Sequence, residues 1–235
     1  LPDDVIGYPG HGAGSACGKN IGKELVDSLG HQKRTNYALR PELTKQQFVD
    51  EVLNGILPPP QYFPKNAQLN KSGYASFEKV LTNGSKALHL AEFEQAMDNG
   101  ALVIDTRNKD AFAEGHIPGS IFIGIEGEFA PWVGIVVENL QQPIVLVAEP
   151  SRVEEIVTRL ARVGYDNCLG YLEGGFDAWR SGGMQIASVN RVSAAGFEKS
   201  LQQHPKPVLD LRRFAEFNGG HLSMALNHPL DYLMK

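Results

Sequence analysis

The sequence predicts an α/β protein with a parallel sheet flanked by helices, and three observations carry that prediction. First, short unbroken apolar runs at Val103 and Ile104 and at Ile144–Val147 read as buried strands, and 169–172 reads as a further strand. Second, helical spacings lie between them: Leu90, Phe93 and Met97, then Val153, Ile156, Val157 and Leu160. Strand–helix alternation with short links favours a parallel sheet covered by helices. Third, one stretch comes twice. Asp105 and Asp210, Arg107 and Arg212, Phe112 and Phe217, Gly115 and Gly220, and His116 and His221 match at a single offset. An offset of this length marks a duplicated domain rather than a solenoid unit, since domains commonly run to roughly 100–150 residues.

In chain order, an apolar strand is predicted over 5–8, running into a glycine-rich turn that holds His11. A His exposed by glycines at a strand end is a natural metal ligand, or else a loop residue without a role. Cys17 reads as a small buried residue. The Gly-rich run through Lys19 lacks P-loop spacing; Lys19 is a candidate to hold a carboxylate of a thiol cosubstrate. A polar helix is expected over 21–29. Thr44 and Gln47 form a capping box, and the helix behind it carries Phe48, Val49, Val52 and Leu53 and stops at Asn54-Gly55. Past the prolines at 58–60, Tyr62, Phe63 and Tyr74 either line a substrate pocket or pack a proline-rich crossing over the core. The polar stretch 71–86 is the expected domain boundary.

In the first copy of the repeat, a helix should end at Asn99-Gly100, and Val103 and Ile104 should form a buried strand. Asp105 and Arg107 are read as partners of each other or of nearby backbone, and His116 as a fold residue. The strand ending at Val147 leads into Ala148, Glu149, Pro150, Ser151 and Arg152, and Ser151 with Glu154 has the pattern of a capping box. Cys168 falls on or near the next strand and is expected in the core.

Composition narrows the function. The 235 residues, 42% of them hydrophobic, suffice for one large core or two ordinary ones. A net charge of −5, with no Lys/Arg run beyond Lys33-Arg34 or Arg212-Arg213, argues against nucleic acid. No apolar run approaches the ~18 residues of a membrane span. Two cysteines give no disulfide framework and, with no leader-like segment, favour a cytoplasmic protein. Leu1, and a second copy that stops at Lys235, suggest a piece of a longer protein, one compatible with a homo-oligomer.

The motif Asp-x-Arg, Phe, Gly-His-Ile-Pro-Gly-Ser-Ile around 105–121, with Glu-Gly-Gly-Phe-Asp-Ala-Trp at 173–179, resembles rhodanese-like domains, α/β sulfurtransferase domains on a parallel sheet. Tyr-Pro-Gly-His-Gly at 8–12 resembles the last metal-binding motif of metallo-β-lactamase-fold hydrolases of the glyoxalase II and persulfide dioxygenase kind. The region around Phe48 to Asn70 is similar to the lid of metallo-β-lactamase–rhodanese fusion proteins. These resemblances imply three parts: the C-terminal part of a metallo-β-lactamase fold at 1–75, a complete rhodanese-like domain at 84–184, and the start of a second at 190–235. In an active rhodanese a Cys ends the strand before the helix, where backbone N–H groups and the helix dipole stabilise its thiolate and a bound sulfur anion. Here that position falls on Val147 or Ala148, so the domain is expected to transfer no sulfur.

For the longer protein the resemblance implies metal-dependent oxidation of a low-molecular-weight persulfide, coupled to rhodanese-type sulfur transfer. His11 would be one ligand of an iron or zinc that this stretch alone does not hold. The alternatives are a zinc-dependent thioester hydrolase of the glyoxalase II type and a non-catalytic binding or spacer module.

Overall fold

The computed structural model describes residues 1–10, 24–53 and 62–230. Packing divides the chain into two units, Leu1–Pro59 and Pro60–Lys235.

In the first unit β1 (Ile6–Gly7) pairs antiparallel with β2 (Asp27–Ser28), Ile6 opposite Ser28. Of the helix predicted over 21–29, residues 21–23 lie outside the described residues, 24–28 are not helical, and α1 (Leu29–Thr35) begins at Leu29. Local hydrogen bonding explains the shift. Ser28 accepts from the His31 amide at 3.2 Å, and Asp27 takes the Ser28 amide, Gln32 Nε2 and His31 Nδ1 onto its carboxylate. Those bonds hold 27–28 extended, cap the helix and lower the Asp27 pKa, the His31 bond most. The helix α2 (Lys45–Leu53) starts as expected: the Thr44 amide donates to Gln47 Oε1 at 3.0 Å and the Gln47 amide to Thr44 Oγ1 at 3.3 Å.

In the second unit α3 (Tyr62–Ser72) and α4 (Phe77–Gly84) lead into β3 (Ala87–Leu88) and α5 (Leu90–Asp98). There follow β4 (Leu102–Asp105), α6 (Lys109–Glu114), β5 (Ile121–Phe122), α7 (Phe129–Val136), β6 (Ile144–Val147), α8 (Val153–Ala161), β7 (Cys168–Leu172) and α9 (Gly175–Ser181). The sheet is parallel throughout, in the order β3-β7-β6-β4-β5. Its strands alternate between two cores. Ile144 and Leu146 of β6 join Ile104, Phe129, Val133, Ile156 and Leu160 on one face. Val145 and Val147 join Val103, Phe93, Phe176 and Trp179 on the other. All four β6 residues are fully buried, as the unbroken apolar run required.

The polar stretch 71–86 is largely helical and packed. Ser76 caps α4, whose Val80 is buried in the first core. Tyr62 and Leu69 of α3 lie against the same core, and the Tyr62 ring covers Gly134 of α7. The second copy of the repeat follows as α10 (Ala194–Gln203), β8 (Val208–Asp210), α11 (Phe214–Asn218) and β9 (Ala225–Asn227). The parallel pair Leu209–Leu226 reproduces Ile104–Ile121 of β4 and β5. Among the described residues no helix is long and apolar enough to cross a membrane.

At Gly84 the helix α4 meets α8 and β7 so closely that a Cβ would lie 2.7 Å from Val157 Cγ1 and 3.2 Å from Cys168 Cβ. Replacing Gly84 with Val should therefore cost about 1–3 kcal/mol by overpacking. Urea denaturation reads this directly, and an unchanged midpoint would refute so close an approach.

Candidate functional site

The carboxyl ends of parallel strands are where ligand sites form in α/β sheets. Here that edge opens into a cleft of about 920 Å³. Arg107 and Asn108 follow β4, residues 123–126 follow β5, Trp132 comes from α7, Glu149 and Arg152 follow β6, and Leu230 reaches in from the second copy. Most of its walls are apolar, with charged groups of both signs at the rim.

Strand β6 ends in Val147, fully buried, and Ala148, 4% exposed, one residue before Glu149 of the cleft wall. The turn that follows differs from the expected one. Pro150–Arg152 forms a 3₁₀ turn, and α8 starts at Val153 with no side-chain cap. The Ser151–Glu154 capping box does not form, because Pro150 starts a tight turn that moves the helix start past Ser151. Arg152 instead reaches Glu126 at 2.6 Å and Glu155 at 2.7 Å, and Glu155 also takes Arg159 at 2.6 Å. These bonds hold the Glu155 carboxyl below its usual range, Arg152 most, and raise the Arg152 pKa, Glu155 most. The first turn of α8 also carries Glu154 and Glu155. The Arg152 guanidinium is thus held by two carboxylates, and the helix start already faces acid, which disfavours an incoming anion. Glu149 is exposed, and its carbonyl accepts the Arg152 amide at 2.9 Å.

Opposite this turn the end of β4 is fixed by a buried ion pair. Arg107 Nε donates to both oxygens of Asp105, at 3.0 and 3.1 Å, and Nη2 donates to Asp105 Oδ2 at 2.7 Å and to the Gly115 carbonyl at 2.8 Å. The guanidinium lies 4.2 Å from the centre of the Phe176 ring. His116 Nδ1 lies 2.9 Å from the Phe112 carbonyl oxygen and the imidazole stacks on the Phe112 ring. All three side chains hold the loop, as their sequence context suggested. The second copy repeats the set, with Arg212 on Asp210 and Gly220 and with His221 on Phe217. The Arg212 hydrogen bonds lower the Asp210 pKa, so that clamp is complete at neutral pH and weakens as pH falls through the folded pKa.

No thiol lines the cleft among the described residues. Cys168 lies in the core as expected, its thiol pushed up to about 12 by burial. The hydroxyl of Thr106 is buried and donates to the Val147 carbonyl at 3.1 Å. Of the other sequence candidates, Tyr62 packs in the core and Phe63 is half exposed, while His11, Cys17 and Lys19 lie outside the described residues. Among the described residues no group of three or more His, Cys, Asp or Glu is placed to hold a metal ion. The Arg152 network escaped the sequence reading. The helical spacing of Arg152, Glu155 and Arg159 was visible along the chain, but the contact with Glu126 was not.

Two tests follow from this geometry. Arg107→Met should cost about 3–5 kcal/mol, because it strands the fully buried Asp105 carboxylate. Arg212→Met should cost less, because Arg212 is 47% exposed; equal losses in chemical denaturation would contradict the assignment. Cys168 should resist iodoacetamide in native buffer and react once unfolded, as mass mapping would reveal, and native labelling would mean that β7 opens.

Residues 89–182 match the rhodanese-like domain family. No curated protein matches the sequence. Among solved structures, a metallo-β-lactamase from Staphylococcus aureus subsp. aureus COL is 30% identical, with a TM-score of 0.56 over 73% of this chain and 45% of that protein. The chain thus spans less than half of that protein's length. The rhodanese-like domain of the Alr3790 protein from Anabaena sp. is 18% identical over 46% of this chain and 84% of that one, with a TM-score of 0.38. A thiosulfate sulfurtransferase from Pseudomonas aeruginosa is 18% identical over 74% and 37%, with a TM-score of 0.39. The last two likenesses are too distant to bear on activity. The chain carries, at residues 89–182, a domain of the rhodanese-like family built on a parallel α/β sheet.

Proposed function

We propose that this chain belongs to a protein of sulfane-sulfur metabolism, in which the rhodanese-like domain at 89–182 binds or spaces rather than transfers sulfur. One observation carries the reading: among the described residues no thiol lines the cleft, and β6 ends in the buried Val147 and Ala148, where the family resemblance expects the thiolate of a sulfurtransferase. The charge pattern supports it. A sulfur anion in that turn would meet Glu149, Glu154 and Glu155, and the guanidinium of Arg152 is already paired. The likeness to the staphylococcal metallo-β-lactamase supports placing this domain beside a metallo-β-lactamase fold. In that setting the chemistry proposed for the longer protein is metal-dependent oxidation of a low-molecular-weight persulfide. The described residues supply no ligand set for that metal, so the chemistry is assigned to the metallo-β-lactamase-fold part, with His11 as one ligand.

The chain should form no thiocyanate from thiosulfate and cyanide above the uncatalysed rate; turnover that depends on the protein would overturn the non-catalytic reading. In the longer protein, persulfide-dependent O₂ uptake with bound iron should be lost, together with the metal, when His11 is replaced. Zinc without uptake would point to thioester hydrolysis instead.

A further inference from the structure

The second copy of the repeat builds the same strand pair as the first but leaves one edge of it open. On the side facing β9 the two copies match bond for bond. The His228 amide donates to the Asp210 carbonyl at 2.9 Å and the Leu230 amide to that of Leu211 at 3.0 Å, as Ile123 does to Asp105 and Ile125 to Thr106. On its other side β4 is paired with β6: the Leu102 amide donates to the Pro143 carbonyl at 2.8 Å and the Thr106 amide to the Val147 carbonyl at 3.0 Å. The repeat puts Pro207 and Leu211 at those positions. Pro207 has no N–H, and the Leu211 amide has no hydrogen-bond partner among the described residues. Among those residues β8 pairs with β9 alone.

Side-chain exposure traces the same gap on both faces. Ile104 is fully buried in a core that β6 and α8 complete with Ile144, Leu146, Ile156 and Leu160, whereas its counterpart Leu209 is 56% exposed. Ile117 is fully buried in the other core with Val145 and Val147 of β6, whereas its counterpart Leu222 is 49% exposed. Thr106 is buried and its counterpart Leu211 is 46% exposed. All three exposed positions hold leucine, so the second copy keeps the composition of a covered strand without the cover. An open edge with apolar faces is a template for a further strand. The first copy specifies which kind, because it shows the equivalent edge occupied. The occupant there is a parallel apolar strand that leads through a turn into a helix with Val153, Ile156, Val157 and Leu160 buried.

We propose that the open edge of β8 accepts a strand–turn–helix segment with the chemistry of 144–161, parallel to β8, and that the longer protein supplies it after β9, as β6 follows β5. In the register of β4 and β6, the residue in the place of Leu146 lies opposite Leu209, and an amphipathic helix covers that face. The residues in the place of Val145 and Val147 cover Leu222 on the other face. Only the source of the segment rests on the longer-protein reading proposed above. The test uses neither metal nor sulfur, so its failure would leave that reading intact, and loss of that reading would leave the acceptor edge.

The probe is a synthetic peptide of residues 143–163 of this chain, added to the full chain, with a scrambled peptide of the same composition as control. Fluorescence anisotropy should show saturable binding with a Kd below about 100 μM, and about tenfold or more weaker binding of the scrambled peptide. Hydrogen exchange should slow about tenfold at the Leu209 and Leu211 amides, while the Ile104 and Thr106 amides keep their rates. Leu209→Lys should weaken the peptide about tenfold. Failure to saturate by about 1 mM would overturn the proposal, as would a scrambled peptide that binds as tightly or slowed exchange away from β8. A chain that sediments as a dimer, with Leu211 protected before any peptide is added, would also overturn it, since a second copy would then hold the edge. The scrambled-peptide and exchange arms use the unaltered chain, so the proposal remains falsifiable even if Leu209→Lys misfolds.

Discussion

The carboxyl edge of the sheet hangs on one buried ion pair. Asp105 is fully buried at the end of β4, a position that a lone carboxylate occupies only at great cost. Arg107 neutralises it with three side-chain hydrogen bonds and a backbone amide, then carries the restraint outward to the Gly115 carbonyl and the face of Phe176. That one guanidinium therefore ties β4 to the end of α6 and to α9. The backbone continues the restraint: the Ile123 amide donates to the Asp105 carbonyl and the Ile125 amide to that of Thr106. These bonds set the wall of the cleft. Gly115 belongs to the same construction, since a Cβ there would lie 3.2 Å from the Phe176 ring. The chain builds this clamp twice, in the same register, which marks it as architecture and not chemistry.

Within that frame the turn after β6 has the opposite character. A loop that captures a sulfur anion needs free N–H groups, an uncommitted cation and a thiolate. This one has an Arg152 clasped by Glu126 and Glu155, acidic residues in the first turn of α8, and an alanine at its edge. The ion pairs lie at the surface, so salt and solvent screen them and they orient the turn more than they stabilise it. The turn is thus occupied by the protein's own ion pairs. The cleft keeps volume and apolar surface, which are the attributes of a binding site.

The sequence by itself determined the parallel sheet, the buried strands β4 and β6, the strand β7, the Thr44–Gln47 capping box, and the structural use of Asp105, Arg107 and His116. Each rests on patterns within a few residues: unbroken apolar runs, fixed helical spacings, or a repeated Asp-x-Arg. The tertiary structure alone decided the rest. The residues of 71–86 are polar and their apolar positions few, so the seating of α4 on α8 and β7 through Val80 and Gly84 was not visible in them. Ser151 had the spacing of a cap, but Pro150 began the turn too early for it to serve. The grip of Glu126 on Arg152 and the cover of Gly134 by Tyr62 both join residues far apart in the chain. Local periodicity reports which face of an element turns inward, whereas only the packing of the elements decides which side chains meet there.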